Sequence, residues 1–351
     1  MPGTAVFRLP YARHATLIEQ TEGEPSELLS CTELNGRQGF VLAPFEVRDG
    51  QPILLIRPDR IRDCELDTIP DLFSQYQCCC PRKEISVSRG DYSIDFASFH
   101  SQLEAGAFRK IVLARRADEC VDGALSPIEL FRRAAERYPR MFIALVGTAR
   151  SGLWLTATPE ILLEGGEHEW RTIALAGTMQ LEGEQLGGEG EGLTWNTKNI
   201  QEQRYVATYI AECLEHFTGD FREEGPTTVR AANLVHLRSD FNFTLPETGH
   251  IGDLLHELHP TPAVCGLPKR EAFHFITHNE RSPRRYYSGF MGMLQPGDTH
   301  LYVSLRCMNI TQGGYHLYAG GGLLKDSTEE QEWAETEAKL QTMRKILFED
   351  V

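Results

Sequence analysis

No run of 18 apolar residues occurs anywhere in this 351-residue chain, so it offers no helix of membrane-spanning length. The first residues, "MPGTAVFRLPYARHA", lack the apolar stretch and cleavage signature of a secretory leader. Positive charge is scarce as well. Lysine and arginine number 35 against 50 acidic residues, a formal charge of −15, which argues against nucleic acid or an anionic membrane as the main partner. An anionic small molecule would therefore need a local cluster of cations. The nine cysteines show no CxxC pair and no zinc-like spacing, and Cys78-Cys79-Cys80 reads as reduced thiols rather than a metal or disulfide site. No internal repeat is present. These absences together lead to the expectation of a reduced, cytoplasmic protein.

What remains is an ordinary globular composition, 41% hydrophobic, in a chain long enough for one large domain or two intimately joined ones. Residues 1–90 read as short strands and loops, with "GFVLAPF" and "PILLIRP" as apolar runs broken by proline. "DYSIDFASFHSQLEAGAF" suggests a helix ending near Gly106, followed by a strand at "RKIVLARRADE" and a helix at "SPIELFRRAAERY". A meander follows, with strands at "MFIALVGT", "GLWLTATP", "EILLEGG" and "EWRTIALAGTMQ". The glycine-rich "LEGEQLGGEGEGL" carries four glutamates and no GK[ST], so it reads as a surface loop or lid rather than a phosphate cradle. Towards the C-terminus, "RRYYSGFMGML", "THLYVSLRCMNI" and "GYHLYAGGGLL" read as three more strands.

Two helices carry acids where core residues would be expected. In "TKNIQEQRYVATYIAECLEHF", Val206, Ile210, Cys213 and Phe217 form an inward stripe, and Glu202 stands one turn ahead on it. In the last helix, Ser327 and Glu330 have capping-box spacing, and Trp333, Leu340, Met343 and Leu347 make the apolar stripe. Beside that stripe Glu332, Glu335 and Lys339 share one face within about 60°. Such a set is, on spacing alone, a solvated i,i+4 pair worth only ~0.3–0.5 kcal/mol. The same carboxylates also suit a hard cation such as Mg2+, which binds one or two protein carboxylates and keeps the rest of its shell for water and substrate.

Nine blocks occur in order from "KIVLARR" through "TATPEILLE", "ALAGT", "KNIQEQRYV", "NLVHL", "LHPTPAVCGLPKREA", "RRYYSGFMG" and "VSLRCMNI" to "LYAGGGLLKDSTEEQEWAETEAKL". Together they resemble the chorismate-binding enzymes, a family of isochorismate and salicylate synthases and the synthase components of anthranilate and aminodeoxychorismate formation. The resemblance covers about Arg109 to Met343; residues 1–90 match weakly. It implies one large α/β (α+β) unit of two antiparallel sheets packed face to face, with helices outside and the site between them. Residues 1–90 would be integrated into the fold of a catalytic region spanning 91–351.

The resemblance also implies roles. Glu202 and Glu335 match Mg2+ ligands, with Glu332 assisting. Lys110 matches a general base that activates water, and Glu160 a general acid. Gly177, Thr178, His236, Tyr287, Arg306, Gly320, Gly322 and Lys339 match positions that hold the ring and carboxylates of chorismate. Asn199 and Gln203 stand where many members carry an acid and a histidine, which removes one negative charge from the metal helix. "LHPTPAVCGLP" and Lys110 favour an isochorismate synthase, serving menaquinone or a catecholate siderophore with a lean to the former. They disfavour the amino-transferring branch, so no glutaminase partner is expected. Salicylate synthase, which goes on to eliminate pyruvate, is the alternative; a non-catalytic chorismate-binding module is a reading of another class.

Overall fold

The computed structural model describes residues 2–76, 89–121, 125–181, 192–231 and 234–348. Cys78–Cys80 and nearly all of the glycine-rich loop lie outside them. The strands are β1 (Thr4–Arg8), β2 (His14–Glu19), β3 (Ser26–Leu28), β4 (Gly39–Ala43), β5 (Ile53–Ile56) and β6 (Arg60–Glu65). They continue as β7 (Lys110–Glu119), β8 (Phe142–Thr148), β9 (Gly152–Thr158), β10 (Ile161–Gly166), β11 (Glu169–Gln180) and β12 (Phe221–Ala231). The last are β13 (Leu234–Thr244), β14 (Gly266–Leu267), β15 (Phe290–Leu294), β16 (Thr299–Val303), β17 (Cys307–Thr311) and β18 (Gly314–Leu323). The helices are α1 (Arg89–Glu104), α2 (Pro127–Arg137), α3 (Thr197–Glu215), α4 (Ile251–Leu258), α5 (Lys269–Asn279) and α6 (Glu329–Phe348).

Two nine-stranded sheets result, in the orders β14-β7-β18-β17-β9-β8-β1-β2-β6 and β12-β13-β11-β10-β16-β15-β4-β5-β3. Neighbouring strands pair antiparallel throughout, and the N-terminal strands enter both sheets, β1 beside β8 and β4 beside β15. Strands buried on both faces read as continuous apolar runs: β8, β4 and β15 have no exposed residue. Between the sheets lies a layer of large rings that includes Phe7, Phe40, Phe142, Trp154, Tyr287 and Tyr302. Helices α2 and α6 cover one outer face through Phe131, Met343 and Ile346; α3 and α4 cover the other through Val206, Ile210, Leu254 and Leu258. Among the described residues no helix is long and apolar enough to cross a membrane.

Two expectations need correction. "THLYVSLRCMNI" is two strands rather than one: β16 belongs to one sheet, β17 to the other, and Ser304–Arg306 crosses between them. Alternating hydrophobicity persists through the crossing because both flanks are buried, so the pattern hides the break. The capping box at Ser327 also fails. Its hydroxyl accepts from Leu324 N–H and donates to Glu332, which sits at 0% exposure, and α6 starts later, at Glu329.

Candidate active site

The chain passes between the sheets at two adjacent places. After β9, Pro159-Glu160 leads into β10; after β16, Ser304-Leu305-Arg306 leads into β17. The crossings are laced together, since Val303 N–H donates to Glu160 O (2.9 Å) and Ala157 N–H to Arg306 O (3.1 Å). Arg306 sits at φ 44°, a left-handed conformation that a non-glycine residue adopts only when its surroundings hold it there. The carboxylate of Glu160 and the guanidinium of Arg306 thereby meet in the interlayer. They line a cavity of about 620 Å3 with Gly177, Thr178, Glu202, His236, Tyr287, Gly320, Gly322 and Lys339.

Three of the carboxylates in and around the cavity, those of Glu202, Glu332 and Glu335, each stand against a lysine. Lys110, at 0% exposure, places Nζ 3.0 Å from Glu202 Oε1. The approach is close enough for an ion pair but poorly aligned, so the ammonium makes no hydrogen bond and keeps its donors available. Lys339 donates to Glu335 Oε1 (2.7 Å) and to Gly320 O (2.9 Å), and Lys198 pairs with Glu332 Oε1. Three acids thus face three lysines. Burial pushes Glu160 up to about 7, even though Lys110, Lys339 and Arg306 pull the other way. Burial, then the charge of Glu335, raises Glu332 likewise. For Glu335 burial is outweighed by Lys339, Lys198 and a hydrogen bond with Thr178, and its carboxyl is held below the usual range.

Arg306 donates through Nη2 to His236 Nε2, which leaves His236 Nδ1–H to donate to Gly177 O at 3.1 Å. Burial, with Arg306 and Lys339 nearby, holds His236 well below its ordinary pKa and therefore neutral. Neutral histidine is the form that can accept from the guanidinium. Burial lowers Arg306 itself to about 10, still charged at neutrality. Tyr287 stacks on Tyr318 with ring centroids 5.6 Å apart and closes one side.

The glycine run in β18 fits the acids against the strand. A Cβ on Gly322 would stand 2.1 Å from Glu202 Oε1, and one on Gly321 would stand 2.7 Å from Glu332 Oε2. Any side chain there would displace those carboxylates. Among the described residues no three acidic, histidine or cysteine side chains form a ready-made metal cage as they stand, since lysines occupy the spaces between the acids. The donor set nevertheless fits a hard divalent ion: all-carboxylate, drawn from α3 and α6, with Glu332 Oε2 buried and without a hydrogen-bond partner.

The structure therefore brings every expected catalytic, substrate-binding and metal-binding position to one place, with Lys110, Glu332 and Glu335 at the margin of the cavity rather than in its lining. Asn199 Nδ2 donates to Thr178 O (3.4 Å) behind the cavity wall, and Gln203 Nε2 donates to Ala174 O (3.1 Å), outside the lining. Sequence reasoning missed Lys198, whose signal was its place four residues before Glu202 on one helical face. It also missed the buried pair Glu280–Arg284 at 2.7 Å, which braces the wall: Arg284 donates to Val264 O and Val112 O.

Comparison with known proteins converges on the same place. The chorismate binding enzyme family profile matches residues 70–348, which take in both helices and all of the acids and lysines above. The salicylate biosynthesis isochorismate synthase of Pseudomonas aeruginosa is 33% identical over 70% of this chain and 52% of its own length. The isochorismate synthase MenF of Escherichia coli is 32% identical over 69% of this chain and 56% of its own length. The chain spans about half the length of the curated relatives it matches. Among solved structures, a Bacillus anthracis protein assigned as a 2,3-dihydroxybenzoate-specific isochorismate synthase superposes with a TM-score of 0.83 at 23% identity, covering 98% of this chain and 96% of that one. The E. coli menaquinone-specific isochorismate synthase gives 0.81 at 21% identity, over 98% and 88%. With the profile spanning most of the sequence and the two-sheet architecture shared along nearly its whole length, this chain belongs to the chorismate-binding enzymes.

Proposed function

We propose that this protein is an isochorismate synthase, an isomerase that adds water at C2 of chorismate and expels the C4 hydroxyl. The observation that carries the reading is that two buried titratable groups stand at one cavity, Glu160 in its lining with its carboxyl raised to about 7 and Lys110 at its margin, near enough to act on the Glu160 carboxyl. A hydration with loss of hydroxide needs a base and an acid together. Lys110, as the neutral amine, takes the proton of the attacking water, and Glu160, as the neutral carboxyl, hands a proton to the departing C4 oxygen, so that water enters, water leaves, and the proton gained by Lys110 must return to Glu160 before the next turnover. Arg306 offers a planar fork to one substrate carboxylate, kept in place by neutral His236. Lys339 and the Gly320–Gly322 backbone bound the ring.

Mg2+ is the cofactor we assign to Glu202 and Glu335, with Glu332 in support; when bound, it would neutralise a substrate carboxylate in this acidic protein. The raised carboxyl of Glu160 is suited to donation near neutrality, where an ordinary glutamate is already ionised.

Purified protein incubated with chorismate and Mg2+ should accumulate isochorismate with no pyruvate. Fluorescent salicylate with stoichiometric pyruvate would instead establish a salicylate synthase, and no consumption would leave only a binding module. Lys110→Ala should abolish turnover in a protein that still folds, with a lowered melting temperature because buried Glu202 loses its cation; undiminished activity would remove the lysine from the reaction.

A further inference from the structure

Arg115 has no place in the cavity lining, yet it grips the helix from which Glu332 and Glu335 reach the acid cluster. It stands on β7, the strand that starts with Lys110. Side chains alternate along a strand, so Lys110 and Arg115, five residues apart, leave β7 on opposite faces. Lys110 meets Glu202 at the cavity, whereas Arg115, 4% exposed, is buried under α6. Its Nε donates to the Thr336 hydroxyl at 2.7 Å and its Nη2 to the Glu337 carboxylate, while the guanidinium carbon lies 3.8 Å from the centre of the Trp333 ring. Thr336 donates in turn to Trp333 O (2.8 Å), and Tyr92 from α1 meets Trp333 in a T-shaped contact with centroids 5.2 Å apart. Trp333, Thr336 and Glu337 are interleaved with Glu332 and Glu335 along the helix, so gripping the first set fixes the rotation of the second.

Rotation matters because Mg2+ demands near-ideal geometry. Carboxylates stand ~5–6 Å from a helix axis, so a turn of about 20° carries them ~2 Å, the length of an Mg2+–oxygen bond. Lys198 and Lys339 also hold these acids, but through the carboxylates themselves, contacts with which a cation must compete. The Arg115 contacts use none of those oxygens. A lysine could not replace them, since a point charge lacks the planar fork that bonds two side chains and stacks on an indole. We propose that Arg115 is a positioning residue for the divalent cation, holding α6 at the rotation that sets Glu332 and Glu335 beside Glu202 over Gly321 and Gly322 of β18. This rests on the Mg2+ assignment made above.

Calorimetric titration of Mg2+ into the metal-free full chain, without chorismate, tests it. Arg115→Lys and Arg115→Met should each weaken Mg2+ binding by about tenfold or more, the scale found for residues that orient metal ligands. Arg344→Gln is the control: it removes another tie between α6 and β7, from Arg344 to Glu119 at 2.7 Å and to Glu337 at 2.6 Å, on the far side of Glu337 from the acids. That variant should melt earlier than the parent yet bind Mg2+ as the parent does. With chorismate present, the Mg2+ needed for half-maximal turnover should rise in Arg115→Lys by the factor seen in binding, while KM for chorismate at saturating Mg2+ stays put. Parent-like Mg2+ affinity in both Arg115 variants would overturn the proposal and leave the metal assignment standing. Equal weakening by Arg344→Gln would overturn it as well, because any loosening of α6 would then suffice. A parent that takes up no Mg2+ would overturn the metal assignment and the proposal with it. Should Arg115→Met fail to fold, Arg115→Lys carries the test.

Discussion

Glu160 shows how a single residue can trade stability for chemistry. Its carboxyl rises from the usual 4.5 to about 7 because the folded chain disfavours its charge. Below pH 4.5 the group is protonated whether the chain is folded or not, and it costs nothing. Between 4.5 and 7 the unfolded chain ionises first, so folding stability falls as pH rises, by ~3 kcal/mol in all, and stays low above 7. Glu160→Gln removes this penalty along with the acid. The variant should melt with the parent at pH 4.5 and above it at pH 8, with kcat lost at both; equal melting at pH 8 would refute the raised carboxyl. Much of this site was legible residue by residue, because the nine blocks carry its acids and lysines in order. What could not be read was environment. Periodicity put Glu332 beside the apolar stripe of α6, whereas packing against β18 and the Ser327 hydroxyl bury it completely.

At the scale of elements, the site depends on chain crossings and on what braces them. Strand content was readable from alternation, but the point where a strand changes sheet was not, since Ser304–Arg306 carries no glycine or proline to mark it. The brace, too, lies far apart in sequence. Arg284 reaches Val112 O at 2.8 Å, Val264 O at 2.6 Å and the carboxylate of Glu280, which in turn accepts from Ala114 N–H at 2.8 Å. One guanidinium therefore ties β7, the loop before β14 and α5 into one wall of the cavity. Arg284→Met leaves Glu280 buried without its cation and two carbonyls without donors. The expected cost is ~3–5 kcal/mol, read as a lower denaturant midpoint. Arg284→Met with Glu280→Gln should recover part of it; a single variant as stable as the parent would show that the brace carries no weight.

For the molecule as a whole, the balance of charge sets the order of events. If the proposed Mg2+ site and the dianionic substrate chorismate hold, a protein of net charge −15 attracts the cation and repels the dianion, so the acid cluster should fill before substrate arrives. Until it does, lysines stand in. Lys198 holds Glu332 from α3, while Lys339 and Lys110 hold Glu335 and Glu202. Lys198→Met removes one of these internal cations without touching the substrate cavity, whose lining does not include it. Metal-free, that variant should lose about 1–3 kcal/mol, because a buried carboxylate is left without its partner. Mg2+ should then restore more stability than it gives the parent, where saturation at a hundred times Kd adds ~2.7 kcal/mol. Melting curves with EDTA and with Mg2+, at low and at 150 mM KCl, measure both effects. Salt should weaken the Mg2+ response in each protein, since screening reduces the attraction of the acidic surface. A variant that melts with the parent in EDTA, or gains no more from Mg2+, would show that Lys198 does not compete for these carboxylates.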